Sequence, residues 1–210
     1  MKVGTDGVLL GAWTHGGARV LDVGTGTGVI ALMMAQRFPA AEVTAIDIDS
    51  AAVEQAWQNV EASPFVGRVE VLHRPVQQMG TEHEHLYDAV VSNPPFFIDS
   101  LIAPDKQRSV ARHAQTLTYA ELMQAAWRLL TDQGELSVVV PFDYRRRMED
   151  EATFVGFFPS RRCAVSTVKG KPARRYLLAF RKHPCELQTD TMTIGDDAYR
   201  QLTAAFYVDW

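Results

Sequence analysis

Short apolar runs alternate with longer stretches of helical periodicity along most of this chain. Residues 18–23, 42–47 (EVTAID), 87–92 (YDAVVS) and 135–140 are compact runs dominated by Val, Leu, Ile and Ala. Runs of that length and character predict strands buried on both faces. Residues 68–73 (RVEVLH) alternate apolar with polar and predict a further strand. Between them, residues 28–37 are apolar nearly all round, which predicts a helix buried against a sheet and ended by Phe38-Pro39. Asp49-Ser50 open a helix running to about residue 62, which Pro64 stops. The capping box Thr118-x-x-Glu121 opens a helix over 119–130 that closes before Gly134. A basic helix over 144–152 follows, then strands over 162–168 and 174–181 joined at Gly170-Lys-Pro172, a hairpin signal. At the start of the chain, Thr5 or Asp6 can cap a short helix. Strands alternating with helices predict an α/β fold: a Rossmann-like, doubly wound, mostly parallel sheet with a C-terminal antiparallel hairpin.

The length of 210 residues suits one domain over 1–210. No run of about 18 apolar residues is present, and the first residues lack a charged-then-apolar leader, so the expected setting is cytoplasmic and away from membranes. Cys163 and Cys185 have no metal-binding spacing and read as reduced thiols. The net charge of −4 conceals an asymmetry: residues 141–185 hold eleven Lys/Arg against four Asp/Glu, a local +7 against −11 elsewhere. Such a segment suits RNA phosphates or is simply a solvated face.

Three polar clusters follow three of the strands. The first is Asp22-Val-Gly-Thr-Gly-Thr-Gly28. Gly24, Gly26 and Gly28 allow a tight turn and close ligand approach. A dinucleotide fingerprint needs its third glycine at position 29, which here is Val29. A carboxylate at Asp22, two residues before the first glycine, repels pyrophosphate and suits a cationic ligand end, the arrangement an S-adenosylmethionine (SAM) site needs. Asp47 lies about 20 residues further on, where an acid accepts ribose hydroxyls, with Ile48 beside it. The third cluster is Asn93-Pro94-Pro95-Phe96. Its prolines remove two donors and leave two acceptors, the Asn93 side-chain oxygen and the Pro94 carbonyl, for the N–H groups of an exocyclic amine. Phe96 offers a face to a flat base. Ligands of doubly wound sheets bind outside the carboxyl ends of the strands, so all three clusters fall on one rim. Asp47 as a helix cap and Asn93-Pro94 as a rigid turn are the plain structural alternatives.

In this order, these motifs resemble those of the class I SAM-dependent amino-methyltransferases with an (N/D)PP(Y/F) motif. The opening Lys2-Val-Gly-Thr-Asp-Gly-Val-Leu-Leu-Gly-Ala-Trp13 closely resembles the first motif of the bacterial tRNA1(Val) adenine-37 N6-methyltransferase family. The similarity extends through Arg108-Ser-Val-Ala-Arg112 and Leu202-Thr-Ala-Ala-Phe-Tyr207. It implies SAM as cofactor and tRNA as partner. It implies Thr5, Asp6, Asp22, Gly24, Gly26, Gly28, Asp47, Ile48 and Asn93 around the cofactor, and Asn93, Pro94, Pro95 and Phe96 at the target amine. Arg108, Arg112, Lys171, Arg174 and Arg175 are the candidate RNA contacts, with Arg145 to Arg147 next; no metal and a monomer are expected. Two departures stand out. The family's aromatic- and Gln-containing segment before the opening motif is missing, so a preceding segment is expected. Pro75 stands where many relatives carry an acid near the adenine amine, so backbone groups take part in adenine recognition.

Within the same chemistry, a guanine N2 of rRNA or a protein glutamine amide is the alternative target. A nicotinamide-dependent oxidoreductase is disfavoured by Val29 and by the lack of a hydride-site acid. A non-catalytic SAM- or nucleotide-binding protein is disfavoured by the intact Asn93-Pro94-Pro95-Phe96. His83-x-His85 with Glu82 and Glu84 reads as a polar loop rather than a metal site.

Overall fold

A computed structural model describes residues 4–94 and 117–207. Eight strands form one sheet in the order β3-β2-β1-β4-β5-β7-β6-β8. They are β1 Arg19–Val23, β2 Glu42–Asp47, β3 Val69–His73, β4 Tyr87–Ser92, β5 Leu130–Pro141, β6 Phe158–Ser166, β7 Arg175–Arg181 and β8 Gln188–Thr193. β7 runs against both of its neighbours, and the other paired strands are parallel. The expected doubly wound sheet and its closing hairpin of β6 and β7 are both present. β8, outside the sequence-based expectation, adds a parallel edge beyond the hairpin.

Helices α1 Thr5–Trp13, α2 Val29–Arg37, α3 Ser50–Glu61 and α6 Asp197–Thr203 contribute to one face; α4 Tyr119–Leu129 and α5 Arg145–Val155 cover the other. The strand pleat divides the core between these layers. Leu21 and Val23 pack with Leu122, Met123 and Leu129 of α4, while Val20 packs with Ile30, Ala31 and Met34 of α2. Each of these Val, Leu, Ile and Met side chains contributes about 1.5–3 kcal/mol on burial.

The local signals act as their chemistry dictates. The capping box forms: the Glu121 N–H donates to the Thr118 hydroxyl, and the Glu121 carboxylate accepts from the Thr118 N–H. Asp49 caps α3 by accepting from the Ala51 N–H at 2.9 Å. The expected cap of α1 does not form. Gly4 is its N-cap, without a side-chain bond, and Thr5 and Asp6 lie in the first turn. At the other end of α1, Arg37 donates to the carbonyls of Gly11 and Thr14, both at 2.7 Å. α1 packs against α2 and β5, and its Asp6 pairs with Arg175 at the start of β7, beside Pro141, so its first turn lies at the carboxyl-end rim of the sheet.

Candidate active site

The rim is assembled by strand register. Val23 pairs with Ile46 on one side and with Ser92 on the other, so the ends of β1, β2 and β4 lie side by side. The Ser92 hydroxyl donates to the Val23 carbonyl at 2.8 Å and ties two of those ends together. The N–H groups of Gly24 and Thr25 both donate to the Ile46 carbonyl, at 2.9 and 3.0 Å. Asp22, Gly24, Gly26, Gly28, Asp47, Ile48, Asn93 and Pro94, at or just after these strand ends, therefore come together. Pro95, Phe96, Arg108 and Arg112 lie outside the described residues.

All three glycines of the turn have φ between +58° and +81°, the left-handed region that side chains avoid. At Gly24 a Cβ would meet no atom within 4 Å, so the backbone there faces open volume. At Gly28 a Cβ would stand 3.3 Å from the Cβ of Ala56, so this glycine is also what lets α3 approach the turn.

Asp22 lies inside β1 and is wholly buried, rather than standing in the turn itself. Its Oδ2 accepts from the Thr25 hydroxyl at 2.6 Å and from the Ala31 N–H at 3.1 Å. Its Oδ1 is buried without a hydrogen-bond partner among the described residues. Burial pushes the carboxyl up to about 7, partly offset by those two donors. Thr25, the third member of this arrangement, was not singled out in the sequence; its place three residues after an acid is the local signal that it carried.

Asp47 is partly exposed. Its Oδ2 accepts from the Gly26 N–H at 2.8 Å and its Oδ1 from the Asp49 N–H at 3.0 Å. It thus holds the glycine turn against the end of β2, and a carboxylate with about four acceptor sites still has capacity for a ligand. Beside it the Ile48 side chain is 46% exposed, an apolar surface at the mouth of the site. His73 Nε2 lies 2.9 Å from the Ile48 carbonyl and the Arg74 N–H donates to the Asp47 carbonyl, so the end of β3 is tied to the same place.

Asn93 follows β4, and its Oδ1 is buried with no hydrogen-bond partner among the described residues. Pro94 is buried beside it. A buried amide oxygen left unpaired costs about 1–3 kcal/mol, so a donor arriving at that point recovers free energy.

The basic segment divides. Arg145 and Arg162 both hold Glu149, and Arg161 and Arg181 both hold Glu135. Arg175 pairs with Asp6 across the rim, joining the start of β7 to the first turn of α1. The exposed Arg146, Lys169, Lys171 and Arg174 have no acidic partner among the described residues. Lys169, Lys171 and Arg174 sit in the turn between β6 and β7, on the same rim as Asn93. Among the described residues no cluster of His, Cys, Asp or Glu could hold a metal, and no helix is long and apolar enough to cross a membrane.

A doubly wound sheet with one reversed strand, a glycine turn after β1 and an acid at the end of β2 make a Rossmann-like ligand-binding rim. Residues 4–155 match the methyltransferase small domain. The tRNA1(Val) (adenine(37)-N6)-methyltransferase of Bacteroides fragilis is 43% identical over 99% of this chain and 91% of its own length. The protein of that name from Parabacteroides distasonis is 46% identical over 88% of this chain and 78% of its own. The chain belongs to the methyltransferase small domain family and, within it, to the family of these relatives. Among solved structures, a "predicted O-methyltransferase" from Agrobacterium tumefaciens superposes with a TM-score of 0.75 at 18% identity, covering 95% of this chain and 96% of that one. A geranyl diphosphate methyltransferase in complex with SAM reaches 0.60 at 14% identity, over 84% and 83%. These two likenesses concern the fold.

Proposed function

We propose that this chain transfers a methyl group from SAM to the exocyclic N6 amine of an adenine in tRNA, at anticodon-loop position 37 of tRNA1(Val). The observation that carries this reading is the Oδ1 of Asn93, buried beside the glycine turn and without a partner among the described residues. The names of the close relatives support the choice of nucleotide.

The residues present fit SAM. Asp22 has a carboxylate oxygen, unpartnered among the described residues, for a cationic end, Asp47 has acceptor capacity for ribose hydroxyls, and Ile48 offers apolar surface to a flat ring. Gly24 leaves room for close backbone approach. When bound, SAM supplies an electrophilic methyl group. Asn93 Oδ1 and the Pro94 carbonyl accept the two N–H bonds of the amine, drawing the nitrogen out of conjugation and aiming its lone pair. Both interactions strengthen as positive charge develops on that nitrogen, so they favour the transition state over the ground state. The target adenine leaves a single-stranded loop, which costs less than leaving a duplex. Lys171 and Arg174 hold RNA phosphates, and Arg175 positions the opening helix through Asp6.

The test is incubation of the protein with methyl-labelled SAM and separate pools of tRNA, rRNA and protein. Label on an N6 of tRNA adenine is expected. Label on rRNA guanine or on glutamine amides alone overturns the assignment of substrate, and no label in any pool overturns the transfer itself.

A further inference from the structure

Phe142 stands just beyond the end of β5, one strand over from Asn93. Ser92 pairs with Val138, so Phe142 lies four residues past that register point. Strand spacing and rise put it on the order of 10 Å from Asn93. Its side chain is 49% exposed. A solitary exposed aromatic needs no explanation, but this one is built in. Its N–H donates to the Arg174 carbonyl at 3.0 Å, which fastens it to the cationic turn. Its ring lies 5.9 Å from the Tyr176 ring, tilted by 33°. The Arg145 guanidinium sits 5.3 Å from the centroid of Tyr176 and is itself held by Glu149 at 2.6 Å. The turn is equally ordered: the Lys171 N–H donates to the Val168 carbonyl, and the Ser166 hydroxyl donates to the Lys171 carbonyl at 2.9 Å. Planar apolar surface and cations without an acidic partner among the described residues are thus fixed together on the rim that carries Asn93.

We propose that the Phe142–Tyr176 pair is a stacking platform for an unpaired base of the RNA loop, next to the nucleotide whose amine reaches Asn93. The inference rests on RNA as the substrate. Stacking on an aromatic ring works for any base because every base has a π-face, and it requires an unpaired one. Lys171 and Arg174 supply the phosphate contacts that keep the strand on the platform, and those contacts are sequence-independent and salt-sensitive. The support beneath Tyr176 matters because a surface ordered beforehand loses less entropy when it binds.

The experiment compares two synthetic RNAs of one length, a stem-loop with adenine in its loop and a fully paired duplex. Binding is followed by fluorescence anisotropy across a salt series, with SAM affinity and thermal melting measured in parallel. Phe142→Ala is expected to bind the stem-loop about tenfold more weakly, with the duplex affinity, the salt slope, SAM binding and the melt unchanged. Phe142→Trp, which keeps the face, is expected to bind as the parent does. Lys171→Glu with Arg174→Glu weakens both RNAs and flattens the salt slope. Parent-like stem-loop affinity in Phe142→Ala overturns the platform while leaving RNA as the substrate. Equal losses on stem-loop and duplex also overturn it. Failure of the parent protein to bind either RNA overturns both the platform and the RNA reading.

Discussion

Two clusters of buried charge and polarity, at opposite ends of the sheet, are built on opposite terms. At the carboxyl-end rim, Asp22 and Asn93 each keep one oxygen buried and unbonded among the described residues. At the other end, Glu135 is 3% exposed and fully engaged. Arg161 donates to its Oε1 at 2.7 Å, while Arg181 and Ser160 donate to Oε2 at 2.9 and 3.1 Å. His15 adds a contact of 3.4 Å. Both arrangements bury carboxylates, and burial alone raises a carboxyl pKa. Asp22 rises to about 7. Glu135 also feels burial, but the neighbouring Arg161 and Arg181 overcome it and hold its carboxyl below the ordinary value. Satisfied valence there fixes β5, β6 and β7 to one another; unsatisfied valence at the rim leaves capacity for something that arrives later.

The contrast is sharpest in what each cluster loses on mutation. Glu135→Ala strands the largely buried Arg161 and releases the half-exposed Arg181, and should lower stability by about 3 kcal/mol, read from denaturant unfolding, with SAM affinity retained in the protein that remains folded. A loss below 1 kcal/mol would put the cluster among ordinary surface pairs. Asn93→Ala is the inverse case. Turnover should fall about 100-fold, the scale of removing one oriented group at developing charge, while the unfolding midpoint and SAM affinity stay near those of the parent. Wild-type turnover would make the loop structural. Asp47→Ala falls between the two, since it removes a ligand acceptor and also the anchor of Gly26 and Asp49. SAM binding by calorimetry should weaken by about 2–3 kcal/mol, and an unchanged affinity would end the ribose assignment.

The smallest effects are those of pH. Glu135 has a depressed folded pKa, so its contribution is present above its unfolded value near 4.5 and is lost as pH falls through the lower folded value. Asp22 has a raised one, so it is protonated in the free protein below about 7, and a cationic ligand end must displace that proton. SAM affinity should therefore drop about tenfold between pH 8 and pH 6, and Asp22→Asn should remove that dependence. A flat profile in the parent would show that Oδ1 meets no cation.

The parallel half of the sheet was legible because its strands are short apolar runs closed by turn residues; β2 and β4 begin and end where the pattern puts them. β8 was not legible. Gln188–Thr193 carries one apolar residue, Met192, and its side chains are mostly exposed, so it has neither alternation nor an apolar run. β6 begins four residues earlier than expected, because Phe158 and Pro159 pair with Arg181 and Phe180 across a register shift. In the site, the rim positions of Asp47 and Asn93 follow from strand ends alone. The inward aim of Asp22 and the pairing of Arg175 with Asp6 depend on which strands become neighbours, and local sequence does not record that. The same holds for the +7 segment, whose net charge is legible but whose partition into paired and unpaired arginines is not.

The eighth strand also bears on how the protein survives in concentrated solution. Without Gln188–Thr193, the outermost ladder on that side would be β6, a nine-residue strand carrying Cys163 and Val165, with one row of main-chain donors and acceptors open to any passing chain. With it in place the outermost ladder is six residues of Thr, Gln, Asp and Met whose exposed side chains offer little for a second sheet to grip. A short, polar outermost strand of this kind disfavours self-templated polymerisation.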